Sequence, residues 1–276
     1  GPDLPAHLYQ IAAFRSSGFR AWDNLWYGGS YTEVGYSLIF APAAALLGLT
    51  TTMAASAALA SAAFAGVTRA RWPEYWRPAA IAFAVLAPTP ILYGQLPFLL
   101  GVGFGLAALW ALQARRMVAA VFLLLACSAS SPLALLFLLL PLAAAGLTSL
   151  RWWRERRLVF VALGIGAIAF LQLVTQLAFA RAGAHYPAGI PETVEVAVLS
   201  AAGIGLSWRL PRLGVMRWTF AAYALVGAVL LAAPSTVGAN SVRLAIYMAA
   251  PLLLVPMVAR RFRPYAAVLP VLAGVG

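Results

Sequence analysis

Two side chains near the start of the sequence could do acid–base chemistry. The segment DLPAHLYQIAAFRSSG places Asp3 and His7 four residues apart, so a helix here carries both on one face. An acid–imidazole pair at a water–lipid boundary could take a proton from an acceptor hydroxyl, which makes Asp3 and His7 the candidate catalytic residues. A capping aspartate and an interfacial histidine explain the same spacing without catalysis.

A second polar segment, AWDNLWYGGSYTEVGYS, could bind a substrate or a cation. Its two adjacent glycines predict a turn that brings Asp23 close to Glu33. These carboxylates, with Asn24, are candidates for binding an acceptor sugar. A divalent cation, if the protein uses one, would take Asp3, Asp23 or Glu33 as ligands. The aromatic side chains of the segment could stack on sugar rings or form a belt at the membrane surface.

Two further places offer hydrogen-bond donors to a phosphate. The loop RAGAHYPAGIPETVEV contains His185 and Tyr186, and PSTVGANSVRL places Asn240 and Arg243 at the start of an apolar run. An arginine that faces lipid is costly, and a phosphate partner would explain Arg243. The alternatives are a solvated loop around His185 and an Arg243 side chain that snorkels to the lipid headgroups.

Composition places these residues in a membrane protein. The 276 residues are 63% hydrophobic and only 9% charged, whereas a soluble domain has roughly 25% charged residues. The net charge of +12 does not indicate nucleic-acid binding, because the arginines lie in short loops between apolar runs, as topology signals do. Cys127 is the single cysteine and lies inside an apolar run, which excludes a disulfide within the chain and a cysteine-based metal site.

The elements that must position the candidate residues are therefore membrane helices. DLPAHLYQIAAFRSSG predicts an amphipathic juxtamembrane helix that Asp3 caps and Gly18 ends. The segment 36–49 is too short to cross confidently, and we interpret it as juxtamembrane or re-entrant. The fold class we predict is all-α, a polytopic transmembrane bundle of about ten spans. The predicted spans are 50–68, 78–93, 96–113, 117–130, 132–149, 158–180, 193–208, 217–233, 242–259 and 264–276.

Arginine placement predicts the orientation of the chain. Fifteen of the 19 basic residues fall in alternate loops, which predicts that these loops are cytoplasmic and that 1–35 is an outer loop of a cytoplasmic membrane protein. We expect a single transmembrane domain over 1–276, with the membrane spans in 36–276. The sequence opens in a polar segment and ends inside an apolar run, so we expect a fragment that lacks a first span and the C-terminal end.

The strings DLPAHLY, WDNLWYGG and GANSVRL resemble a branch of bacterial, often actinobacterial, integral membrane proteins related to the GT-C class of glycosyltransferases. Members of that class use polyprenyl-phosphate sugars as donors. The resemblance implies that Asp3 matches the acidic residue of the first outer loop, which acts as general base or helps to bind a metal. It implies that Arg243 matches a donor-phosphate ligand. Better-studied members often have two adjacent acids, whereas here Leu4 follows Asp3.

The leading hypothesis is a glycosyltransferase that moves a sugar from a polyprenyl-phosphate donor to an acceptor on the outer face. Asp3 would be the base with His7 assisting, Asp23 and Glu33 would bind the acceptor or a cation, and Arg243 with His185 would hold the phosphate. A lipid or small-molecule transporter and a non-catalytic subunit of a cell-envelope assembly complex are the alternatives. The absence of a mid-span charge in the sequence favours the transferase over the transporter. The expected partners are the lipid-linked donor, membrane lipids and envelope-assembly proteins.

Overall fold

The computed structural model describes residues 3–20, 23, 37–148, 156–178, 188–233 and 237–260. Within these ranges the chain is helical and has no β-strand, which confirms the all-α prediction. The α-helices are α1 (Leu4–Ser17), α2 (Phe40–Leu47), α3 (Leu49–Arg71), α4 (Trp76–Leu86), α5 (Thr89–Tyr93), α6 (Leu96–Gln113), α7 (Met117–Ser130), α8 (Pro132–Thr148), α9 (Arg156–Ala178), α10 (Ile190–Ser207), α11 (Gly214–Ala232) and α12 (Ala250–Ala259). Short 3₁₀-helices occupy Pro211–Leu213 and Gly238–Val242, and a π-helix occupies Ala245–Ala249.

Six helical segments of the described chain are long and apolar enough to cross a membrane. They are Leu49–Arg71, Leu96–Gln113, Leu158–Thr175, Ile190–Ser207, Pro211–Ala232 and Gly238–Ala259. These segments support a multi-pass membrane protein, and the predicted number of about ten spans is not confirmed. Helices α7 and α8 are apolar but shorter, and at ~1.5 Å per residue α7 is only about 21 Å long. The predicted span 264–276 lies outside the described residues.

The predicted span 78–93 is not one continuous helix. Helix α4 ends at Leu86, and α5 begins at Thr89 after Pro88, with Pro90 in its first turn. Proline has no amide hydrogen to donate to the preceding turn, and its ring collides with the carbonyl four residues earlier. The two prolines therefore interrupt the helix, and the predicted span 78–93 is divided between α4 and α5.

Helix α1 begins and ends where the sequence predicts, but its faces differ from the prediction. Pro5 lies in the first turn, and Gly18 ends the helix with a φ of +70°. The buried side carries His7 and Gln10 beside Ile11, whereas Leu8 is 49% exposed. The helix thus presents a partly polar face to its neighbours and is not the amphipathic surface helix predicted.

The chain forms two compact units, of which the first comprises Gly1–Val67, Ala87–Leu136 and Arg151–Gly183. Its core near α1 joins α2 and α6 through the buried side chains of Ile11, Phe40, Ala41, Ala44, Leu96 and Leu100. In α6, a Cβ atom at Gly101 would lie 2.8 Å from the Cβ of Ala134, and one at Gly103 would lie 3.1 Å from the side chain of Leu59. These glycines therefore allow the close packing of α6 on its neighbours.

The second unit comprises Thr68–Leu86, Phe137–Leu150 and Ala184–Gly276. Helices α10 and α11 pack closely, since a Cβ atom at Gly203 would overlap the Phe220 ring. The Arg260 guanidinium donates to the carbonyls of Leu206 and Trp208 at 2.6 and 2.5 Å. It thereby satisfies groups at the C-terminal end of α10, where a positive charge is favourable.

Candidate functional site

The N-terminus of α1 lies against the corner between α5 and α6. Gly94 forms this corner with a φ of +78°, a conformation that favours glycine. A Cβ atom at Gly94 would lie 2.9 Å from the backbone nitrogen of Leu4 and 3.1 Å from that of Asp3. Glycine is thus needed here both for the backbone conformation and for the close approach of α1, and this contact positions Asp3.

His7 is buried at the same corner. Its side chain is 1% exposed, and Nε2 donates a hydrogen bond of 2.7 Å to the carbonyl oxygen of Gly94. Because a carbonyl oxygen only accepts, Nε2 carries a proton. Nδ1 lies 3.4 Å from Oε1 of Gln10, and the ring meets the Phe40 ring edge-on at 5.5 Å between centroids. Each ring nitrogen therefore faces a polar atom of the protein, which favours a docking role for His7 over an assisting base.

Asp3 precedes α1 at the N-cap position, but its carboxylate makes no capping hydrogen bond in the described structure. The reason is the backbone, whose φ of −85° and ψ of −8° are helical, whereas an N-cap residue that bonds to the first turn is typically extended. The side chain is half-buried. The structural alternative for Asp3, a capping aspartate, is therefore not realised, and its carboxylate has acceptor capacity to spare.

At its C-terminal end, α1 is held to α2. Arg15 donates from Nε and Nη2 to the carbonyl oxygen of Ala45, at 3.3 and 3.2 Å. Ala45 lies in the last turn of α2, where carbonyl groups lack helical partners. Together with the bond from His7, this contact fixes both ends of the helix that begins at Asp3.

The predicted partners of Asp3 are only partly visible. Asp23 is 4% exposed, and the residues on both sides of it are outside the described ranges. Asn24, Glu33, His185 and Tyr186 also lie outside the described residues, so their predicted roles stay predictions. Among the residues that the structure describes, no group of three histidine, cysteine or acidic side chains could hold a metal ion.

Asn240 and Arg243 lie at the start of the last described span. Asn240 is half-buried in the 3₁₀-helix Gly238–Val242, and Arg243 is half-buried directly after it. The backbone then changes to the π-helix Ala245–Ala249 before α12 begins. Arg243 therefore lies between a 3₁₀-helix and a π-helix.

Sequence reasoning missed the residue that organises this segment, Tyr223 of α11. Its hydroxyl donates to the carbonyl oxygen of Ser241 at 2.7 Å and accepts from the backbone N–H of Ala245 at 3.1 Å. Tyr223 is 1% exposed. A tyrosine inside an apolar run is a usable signal, because a buried phenol nearly always needs a hydrogen-bond partner.

The most polar residues inside α9 make local contacts. The amide of Gln172 accepts from the Ser128 hydroxyl at 3.0 Å, and the Thr175 hydroxyl donates to the carbonyl of Leu171 at 2.8 Å. The side chain of Gln176 lies outside the description. These bonds account for Thr175 and for part of Gln172 as helix-packing groups.

Comparison of the chain with family models, with curated proteins and with solved structures found no match. The function must therefore be argued from the residues and their geometry.

Proposed function

We propose that the protein is a membrane glycosyltransferase of GT-C type, which transfers a sugar from a polyprenyl-phosphate donor to an acceptor hydroxyl at the outer face of the cytoplasmic membrane. In this reaction the acceptor oxygen bonds to the anomeric carbon, and the bond between that carbon and the phosphate oxygen breaks. The phosphate leaves with the electron pair, and the acceptor proton passes to the carboxylate of Asp3. Asp3 is the proposed base.

The observation that carries the proposal is that Asp3 has a fixed backbone position and a carboxylate that makes no capping hydrogen bond. Its position before a helix and next to the close contact at Gly94 is fixed by backbone packing, yet its carboxylate is not used as a cap. A half-buried carboxylate that is held in place and has free acceptor capacity is suited to take a proton. The apolar helices suit a lipid-linked donor, because its hydrocarbon tail needs a membrane environment.

Arg243 is the proposed ligand of the donor phosphate. A guanidinium can bind a phosphate through two parallel hydrogen bonds, which makes arginine favourable wherever a planar oxyanion is recognised. Arg243 lies near one end of an apolar helical segment that is long enough to cross a membrane, and the ends of such segments meet the lipid headgroups. Asn240, one turn earlier, offers an amide that could bind a sugar hydroxyl. For Asp23, Asn24, Glu33, His185 and Tyr186, the proposed binding roles rest on the sequence alone.

The test is the substitution Asp3→Asn, which keeps the shape of the side chain and removes the base. The protein is reconstituted in liposomes with a panel of polyprenyl-phosphate sugars, and release of polyprenyl phosphate is measured, since every sugar and acceptor yields that product. We expect release to fall by roughly 10²- to 10⁴-fold, the contribution typical of a general base. The matched control is Glu74→Gln, which neutralises an exposed acid whose partner is the exposed Arg212.

The control should retain activity, and both variants should unfold at the temperature of the unsubstituted protein. Full activity of Asp3→Asn would overturn the proposed role of Asp3. A chain in which Asp3 and Arg243 can both be replaced without loss, while an envelope protein still co-purifies, would instead be a non-catalytic subunit. The buried, fully engaged His7 is the observation that favours this second candidate, because it explains the N-terminal helix without chemistry.

A further inference from the structure

A side chain of one helix replaces a backbone hydrogen bond of another. In an α-helix the N–H of Ala245 would donate directly to the carbonyl of Ser241, four residues earlier. The hydroxyl of Tyr223 stands between the two groups, donating to the Ser241 oxygen at 2.7 Å and accepting from the Ala245 nitrogen at 3.1 Å. The phenol thus completes the backbone bonding of a turn that it also holds open.

The helix changes its winding at this turn. A 3₁₀-helix covers Gly238–Val242 on one side, and a π-helix covers Ala245–Ala249 on the other. Insertion of a side chain into the hydrogen-bond ladder is a recognised cause of such irregularities, and π-helical turns are frequent at functional sites. Three residues lie between the two bridged groups, Val242, Arg243 and Leu244, so Arg243 lies at the centre of the opened turn.

Tyr223 itself has little freedom to move. Its side chain is 1% exposed, and its ring meets the Phe137 ring edge-on at 6.4 Å with an interplanar angle of 85°. On the same helix, Gly227 lies so close to Val196 of α10 that a Cβ atom would be 2.9 Å from that side chain. The phenol is therefore held in place by packed helices, and its two hydrogen bonds fix the backbone of the turn that contains Arg243.

The bridging hydroxyl is one of two ways in which these backbone groups could be satisfied. If the phenol were absent, Ala245 and Ser241 could bond to each other, and no backbone group in this apolar segment would be unpaired. The hydroxyl is therefore not needed to satisfy the backbone. Its effect is to hold this turn in a geometry that the helix would not adopt alone.

We propose that Tyr223 is a positioning residue for Arg243, whose opened turn directs the arginine to a phosphate of a lipid. This inference rests on the proposed function for the binding of a lipid phosphate by Arg243. Tyr223 does not contact the ligand. Its contribution is that Arg243 starts from a fixed backbone position, so less freedom is lost when the phosphate binds.

The test measures binding of farnesyl phosphate to the detergent-solubilised protein by isothermal titration calorimetry. Tyr223→Phe keeps the ring and removes the bridging hydroxyl, and we expect its affinity to fall about tenfold, equivalent to about 1.4 kcal/mol. Arg243→Gln should lose at least as much. The double variant should bind no more weakly than Arg243→Gln alone, because Tyr223 acts through Arg243. The control, Tyr93→Phe, removes a hydroxyl from a partly exposed tyrosine of the other compact unit and should bind normally.

Hydrogen exchange of the 241–249 backbone provides a second measurement that does not depend on the ligand. In Tyr223→Phe the amide of Ala245 should change its exchange rate, while α10 keeps its own. Replacement of Tyr223 by p-aminophenylalanine, which retains a donor at the same place, should restore most of the affinity and supplies a second variant if the phenylalanine variant does not fold.

The possible failures are distinguishable. Normal binding in Tyr223→Phe together with weak binding in Arg243→Gln would overturn the positioning role and leave the phosphate role of Arg243 intact. The positioning role would also be overturned if the loss of affinity in the double variant equalled the sum of the losses in the two single variants, because the two residues would then act independently. Normal binding in Arg243→Gln would remove Arg243 from the phosphate site, and the positioning role with it.

Discussion

The contacts of His7 favour a role in docking α1 over a role in catalysis. The imidazole donates to the Gly94 carbonyl and is enclosed by Gln10 and Phe40, so that no face is open to an acceptor. A histidine that served as a base would need a nitrogen within reach of the reacting hydroxyl. The bond to Gly94 instead ties α1 to the corner before α6, and the free energy of that bond should appear in stability.

We therefore expect His7→Phe to lower the free energy of unfolding by roughly 1–3 kcal/mol, because the buried carbonyl of Gly94 loses its donor. The control is Leu8→Ala on the same helix, whose side chain is 49% exposed and whose loss should cost less than about 0.5 kcal/mol. Chemical unfolding in detergent measures both. Transfer activity that disappears in His7→Phe without a change in stability would assign His7 to the reaction after all.

Residue types and spacing predict Asp3 and His7 on one face of a helix, and the structure has Asp3 directly before α1 and His7 within it. They do not predict that the carboxylate of Asp3 makes no cap, which follows from a helical backbone at that residue. They also do not predict which way His7 faces, because that depends on Gly94, 87 residues away. Tyr223 was missed for the same reason, since its two partners lie on another helix and are backbone atoms.

At the level of helices, the apolar runs of the sequence predict where most helices begin and end. They do not predict where a helix is interrupted within a run. The predicted span 96–113 and helix α6 coincide, as do 117–130 and α7. Pro88 interrupts 78–93 even though the apolar run continues through it, because proline has no amide hydrogen to donate to the preceding turn. The sequence 245–249 does not itself predict a π-helix, since the hydroxyl that accepts from the Ala245 amide belongs to Tyr223 of α11.

The packing of α10 on α11 depends on which glycine of α10 faces its neighbour. A Cβ atom at Gly203 would overlap the Phe220 ring, whereas one at Gly205 would have no atom of the described residues within 4 Å. We expect Gly203→Ala to destabilise the protein by roughly 1–3 kcal/mol through overpacking. Gly205→Ala should be neutral or stabilising by up to about 1 kcal/mol, because alanine is the better helix former. Thermal unfolding of the two variants provides the comparison.

The contrast between the two glycines is the informative quantity. Each substitution adds the same methyl group to the same helix, so differences in helix propensity cancel. Equal unfolding temperatures for the two variants would show that Phe220 can move aside at no cost, and that the close approach at Gly203 does not determine how α10 and α11 pack.

At the level of the whole chain, the positions of the arginines and the lengths of the helices together limit which segments can cross the membrane. Helix α3 ends at Arg71, and α6 ends at Gln113, directly before Arg115 and Arg116. Both arginine groups can lie on one side of the membrane only if the segment between the two helices crosses back. That segment contains the broken helices α4 and α5, neither of which is long enough to span alone. The positive-inside bias therefore predicts that the segment 72–95 crosses the membrane, although the lengths of its helices do not predict a crossing.

This crossing can be tested with single cysteines in a Cys127→Ala background, since Cys127 is buried and is the one cysteine of the sequence. We expect a membrane-impermeant maleimide to label Ser16→Cys in intact cells and to label Arg71→Cys and Arg116→Cys only after permeabilisation; all three side chains are exposed. Labelling of Arg71→Cys and Arg116→Cys from opposite sides would show that 72–95 does not cross. Protection of Ser16→Cys in intact cells would place α1 on the inner side, away from any acceptor outside the cell. The proposed transfer at the outer face requires the first pattern, in which Asp3 and the acceptor meet the same aqueous compartment.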